Sequence, residues 1–162
     1  MWRMLLPFLL VTVTESLRAQ TDVRSFIVVT PSSLTFSSPD PDSMIASASS
    51  SATWRLRFAN ATRTWQLRVN ATSASVSNCG QVPLTAFRVS CNAVNVAKGG
   101  TGVCSGPIVL SDSPQTVASG NQGDHNYNST ADIQVQFVDS WQYPAKVSPA
   151  CSLILAFTVE AQ

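Results

Sequence analysis

The sequence predicts an all-β protein, an antiparallel immunoglobulin-like β-sandwich of about seven to nine strands. Three observations point there. Apolar and polar residues alternate with period two in several runs. The runs are short, and gaps rich in Ser, Gly, Asn and Pro separate them. No stretch beyond residue 19 carries the 3.6-residue apolar period of an amphipathic helix. A β-barrel is the alternative closure of the same strands.

The first element is a leader. Arg3 supplies a positive charge, and Met4–Val13 is apolar apart from Thr12. That run suits the core of a secretory signal peptide and is too short for a membrane helix, which needs roughly 20 residues. Leu17 and Ala19 fit the −3 and −1 positions, so residues 1–19 read as a signal peptide cleaved after Ala19. Residues 20–162 then form a single domain, 143 residues once those 19 are removed from the 162. No later apolar run is long enough for a membrane span, so the mature chain is expected to be secreted, periplasmic or held at the cell surface.

Phe26–Thr30 and Leu34–Phe36 are short strand-like runs either side of Pro31, and Ser37–Ser51 reads as a loop. Trp54, Leu56 and Phe58 alternate with Arg55 and Arg57; Trp65, Leu67 and Val69 alternate with Gln66, Arg68 and Asn70. These two strands are expected to form a hairpin through Ala59–Thr64, with the arginines sharing one exposed face. Thr85–Cys91 alternates again and turns Cys91 inward. Lys98–Gly102 reads as a turn, and Pro107–Leu110 as a strand that Gln115–Ala118 continues after Pro114. After the polar stretch Ser119–Thr130 come the rows Ile133, Val135, Phe137 and Leu153, Leu155, Phe157, Val159, with Cys151 in phase with the second. Trp141–Pro149 lies between them as a loop.

Four cysteines, Cys79, Cys91, Cys104 and Cys151, all fall in the mature part. An even number in an exported chain implies two disulfides. The expected pairing is Cys79–Cys91, closing a local segment, and Cys104–Cys151, tying mid-chain to the last strand. No Cys-x-x-Cys pair and a single histidine argue against zinc. No metal and no cofactor is expected.

Charge narrows the partners. The 10 basic and 9 acidic residues become eight of each once Arg3, Arg18 and Glu15 leave with the signal. A neutral surface without clustered Lys and Arg argues against nucleic acid and against an anionic membrane surface as partners. His125 stands alone, no Gly-x-Ser-x-Gly elbow exists, and Glu160 is the only mature glutamate. Neither a Ser–His–Asp set nor a carboxylate pair for glycoside hydrolysis can be assembled. The chain is therefore expected not to be an enzyme. Trp141, Tyr143 and Tyr127, in loops with amide side chains nearby, are the candidate ligand-binding residues, for stacking on sugar rings. Asn60, Asn70 and Asn128 head Asn-x-Ser/Thr sequons.

The strand pair TWRLRF…TWQLRV, the middle CSGPIVLS and the ending DSWQYPA…CSLILAFTV resemble small exported bacterial β-sandwich proteins, the WxL-like surface domains and the spore-coat-U-type pilin-like domains. The paired Trp-x-x-Leu motifs of WxL domains are absent as such. A pilin-like relationship implies an extension, Gln20–Thr30, donated to a neighbouring subunit by strand addition. A structural, adhesive or pilin-like assembly role with a protein partner or a further copy of the chain is thus the expected function. Carbohydrate binding is the alternative.

Overall fold

The computed structural model describes residues 24–36, 46–57, 64–138 and 151–162. The expected signal peptide, residues 1–19, the expected loop Trp141–Pro149 with Trp141 and Tyr143, and the sequon at Asn60 lie outside them.

The described residues form ten strands and one 3-10 turn, Leu84–Ala86. The strands are β1 (Arg24–Thr30), β2 (Ser33–Phe36), β3 (Ala46–Arg57), β4 (Thr64–Ala71) and β5 (Phe87–Asn95). After them come β6 (Thr101–Cys104), β7 (Ile108–Val109), β8 (Gln115–Asn121), β9 (Ser129–Phe137) and β10 (Cys151–Ala161). They build two five-stranded sheets, in the orders β1-β3-β9-β5-β7 and β2-β10-β4-β8-β6, with every pairing antiparallel. A β-sandwich is the arrangement expected.

The count exceeds seven to nine because short pieces change sheets. Pro31 has no N–H for a ladder, so β1 ends there, and the chain re-enters as β2 in the opposite sheet. Ile108–Val109 joins the edge of the first sheet, whereas Gln115–Asn121 lies in the second, so the two are not one continued strand.

Period-two alternation fills the space between the sheets. Ala52, Trp54 and Leu56 of β3, Ile133, Val135 and Phe137 of β9, and Phe87 and Val89 of β5 are buried from one side. Trp65, Leu67 and Val69 of β4 and Leu153, Leu155 and Phe157 of β10 meet them from the other. Each side chain of this size contributes about 1.5–3 kcal/mol on full burial. Aromatics mark the two ends. Phe36 of β2 lies over Phe87 and Phe137, centroids 5.3 and 6.2 Å away, while Trp54 and Trp65 meet at 5.2 Å at the other end.

That tryptophan contact overturns the expected hairpin. β3 pairs with β1 and β9, β4 with β10 and β8, and the two face each other across the core. Two consecutive strands with one apolar face each can pair edge to edge or stack face to face. Here stacking joins both apolar rows in one core. The arginines separate as a result. Arg55 donates from Nε to Asn128 Oδ1 at 3.0 Å on the first sheet, and Arg68 pairs with Glu160 at 3.0 Å on the second.

The disulfides differ from the expected pairing too. They join Cys79 to Cys151 and Cys91 to Cys104, with Cα atoms 5.4 and 5.3 Å apart. The segment after β4 stays with its own sheet, and Ser77 bridges to Ser152 of β10, which brings Cys79 beside Cys151. Cys91 points inward from β5 toward β6 of the opposite sheet. Proximity in sequence misleads here because β5 begins after the chain has changed sheets.

Candidate functional site

Two regions stand out once the core is accounted for, an open side of the sandwich and the tryptophan end.

The open side is framed by β1, β2 and β10. All seven residues of β1 pair with β3, Arg24 opposite Arg57 and Thr30 opposite Ser51. Its other edge carries no strand among the described residues. The run Phe26–Val29 gives it apolar, largely β-branched residues that favour an extended backbone. Ile27 and Val29 pack only partly against the core, and Val28 is 54% exposed on the other face. β2 covers β10 over Cys151–Ile154, leaving Leu155–Ala161 paired with β4 alone. Leu155 and Phe157 are nevertheless buried, so this second free edge offers backbone groups but little apolar surface.

The closed side is built differently. β7 contributes two residues and β6 four, and Cys91–Cys104 ties β5 of one sheet to β6 of the other. β6 lies very close to β8. A Cβ on Gly120 would meet the Thr101 carbonyl, so glycine alone fits there without a shift.

At the tryptophan end, a narrow crevice is lined by Trp54, Trp65, Gln122, Asp124 and Tyr127, among others. Its interior admits little more than a water-sized group. Trp65 Nε1 and Gln122 Oε1, one donor and one acceptor, are buried without a protein hydrogen bond. The Gln122 amide nitrogen is held by the Leu56 carbonyl at 3.4 Å. The loop above is shaped by Asp124, whose Oδ1 accepts from the Asn126 backbone N–H at 2.9 Å and from Asn126 Nδ2 at 3.0 Å. Tyr127 stands 58% exposed on that loop, and His125 is exposed beside it. A shallow groove nearby, about 470 Å³, is lined by Thr64, Gln66, Ser119, Asn121 and Gln162, with Trp65 and Gly120.

Of the candidate aromatics, the structure places only Tyr127. It precedes the start of β9. Trp141 and Tyr143 lie outside the described residues. No three His, Cys, Asp or Glu residues gather as a metal site among the described residues. No helix among them is long and apolar enough to cross a membrane. The Asn70 amide donates to the Ala71 and Asp112 carbonyls, at 2.9 and 3.2 Å. Of the expected donor extension Gln20–Thr30, residues 20–23 lie outside the described residues. Arg24–Thr30 is engaged with β3 of its own chain, because its inward residues complete that sheet.

The open side was not singled out in the sequence. Its signal was present as two apolar runs split by Pro31, the mark of an edge strand that changes sheets. Comparison with known protein families, curated proteins and solved structures finds no match.

Proposed function

We propose that this chain is an exported, non-enzymatic β-sandwich that works by association, with a structural or adhesive role at or beyond the cell surface. The asymmetry of its two sides carries the reading. A seven-residue edge strand has no neighbour on its outer side among the described residues, a ready template for another strand, while the opposite edges are short, four and two residues, with a disulfide holding β6 to β5. Neutral charge removes long-range repulsion between copies. The two disulfides and the signal-like leader fit an oxidising, non-cytoplasmic compartment.

An immunoglobulin-like topology is the finer reading of the fold. The order β1-β3-β9-β5 follows the A-B-E-D order of such domains, and β4 beside β10 follows C beside F. The place of the last strand, G, is then filled over four residues by β2. That partial filling supports the kinship with spore-coat-U-type pilin-like domains. Sedimentation and negative-stain imaging of the purified oxidised protein test the association reading. Dimers or filaments are expected, and a monomer at every concentration would sink it.

Carbohydrate binding is the second reading, favoured by Tyr127 exposed above Gln122 and Asp124 and by the amide- and hydroxyl-lined groove. It expects retention on a glycan array that Tyr127→Ala removes.

A further inference from the structure

We infer that a second copy of this chain adds to the free edge of β1, antiparallel and about a two-fold axis, joining the β1-containing sheets of two molecules into one continuous sheet. The inference rests on the association reading and names its edge and its occupant.

Two edges are available on the open side, and burial distinguishes them. Along Leu155–Ala161 of β10 the inward residues Leu155 and Phe157 are already 8% exposed each, so a further strand there would cover little apolar surface. Along β1, Ile27 and Val29 are only partly buried and Val28 is 54% exposed. A strand laid beside them would bury apolar area and supply the missing ladder together.

The occupant follows from self-complementarity. In an isologous antiparallel pair each residue's partner is fixed by one register. The register that overlaps all seven residues sets Ile27 opposite Ile27 of the second copy and Arg24 opposite Thr30 of the second copy. Charges of one sign never stand opposite each other, and equal parity keeps inward residues facing inward. β1 contains no proline or lysine, carries one charge, Arg24 at its end, and pairs with β3 without a bulge, so among the described residues little blunts its edge. The far edge of the same sheet ends in β7, two residues long. That edge cannot propagate the ladder, so growth closes as a dimer.

Sedimentation velocity of the oxidised protein over a concentration series provides the test, run beside Val28→Lys and Val103→Lys. Both positions are exposed, 54% and 65%, so both variants are expected to fold. Val103 lies on β6 of the closed side and controls for general stickiness. The wild type is expected to dimerise, with slower amide exchange across residues 24–30 as concentration rises. Val28→Lys is expected to raise the dimer dissociation constant at least about tenfold. Val103→Lys is expected to match the wild type. If the wild type associates and Val28→Lys associates equally well, β1 is the wrong edge while the association reading survives. Equal weakening by both lysines also overturns the β1 assignment. A wild type that stays monomeric throughout ends both.

Discussion

The two sides of this sandwich solve one problem in opposite ways. Every open sheet ends in strands with unpaired backbone groups. On the closed side those strands shrink to four and two residues, and a disulfide spans the sheets behind them. On the open side β1 keeps seven residues in regular register, and beyond Ile154 β10 has no second strand beside it among the described residues. One side is closed within the chain by short strands and a disulfide; the other leaves two strand edges without a neighbour among the described residues. The contrast teaches that the edge strands, which contribute least to the core, hold the most information about association.

The contrast can be broken most severely at the covalent links. Cys79–Cys151 spans 72 residues and anchors the segment after β4 to the start of β10, close to β2. In the chain-entropy account, replacing both by serine lowers stability by about 4 kcal/mol. The denaturant midpoint should fall, and the slope should steepen because the unfolded chain without the cross-link exposes more surface. Cys91–Cys104 spans 13, and the corresponding double serine variant is expected to lose about 3 kcal/mol. Its amide exchange should accelerate first in β6. Uniform acceleration would instead mean that the staple serves the whole core and the closed side has no separate integrity.

Gly120→Ala is the next sharpest probe. The added methyl meets the Thr101 carbonyl, so β6 must retreat. A loss of about 1–3 kcal/mol is expected, read from thermal unfolding, with no change in association. The smallest effect belongs to the Arg68–Glu160 pair on the sheet face, whose side chains are 34% and 43% exposed. Glu160→Gln is expected to cost under about 1 kcal/mol, and less at high salt. A larger loss would show that the outer face of β4 and β10 contributes more than the edges do.

Much of the fold was readable because strand alternation is a local property. Trp65, Leu67 and Val69, or Leu153, Leu155 and Phe157, declare their buried face within a few residues, and the structure buries all of them. Pairing partners are not local. The same alternation in Trp54–Phe58 and Trp65–Val69 is compatible with a hairpin or with two stacked sheets, and only the competing claims of β9 and β10 decide between them. The candidate site was legible in one residue, Tyr127, because a Gly- and Asn-rich loop exposes its aromatic. The open edge was hidden because an edge strand and a central strand carry similar residues when both have one buried face.

Sequence by itself determined the all-β class, the inward rows and the presence of two disulfides, since composition and period two act residue by residue. Tertiary structure alone decided that Cys79 meets Cys151 and Cys91 meets Cys104, that the tryptophan strands oppose rather than adjoin, and that β1 ends a sheet. Those outcomes depend on contacts between residues far apart in the chain. Their energies compare whole arrangements of strands, and no short window of sequence contains that comparison.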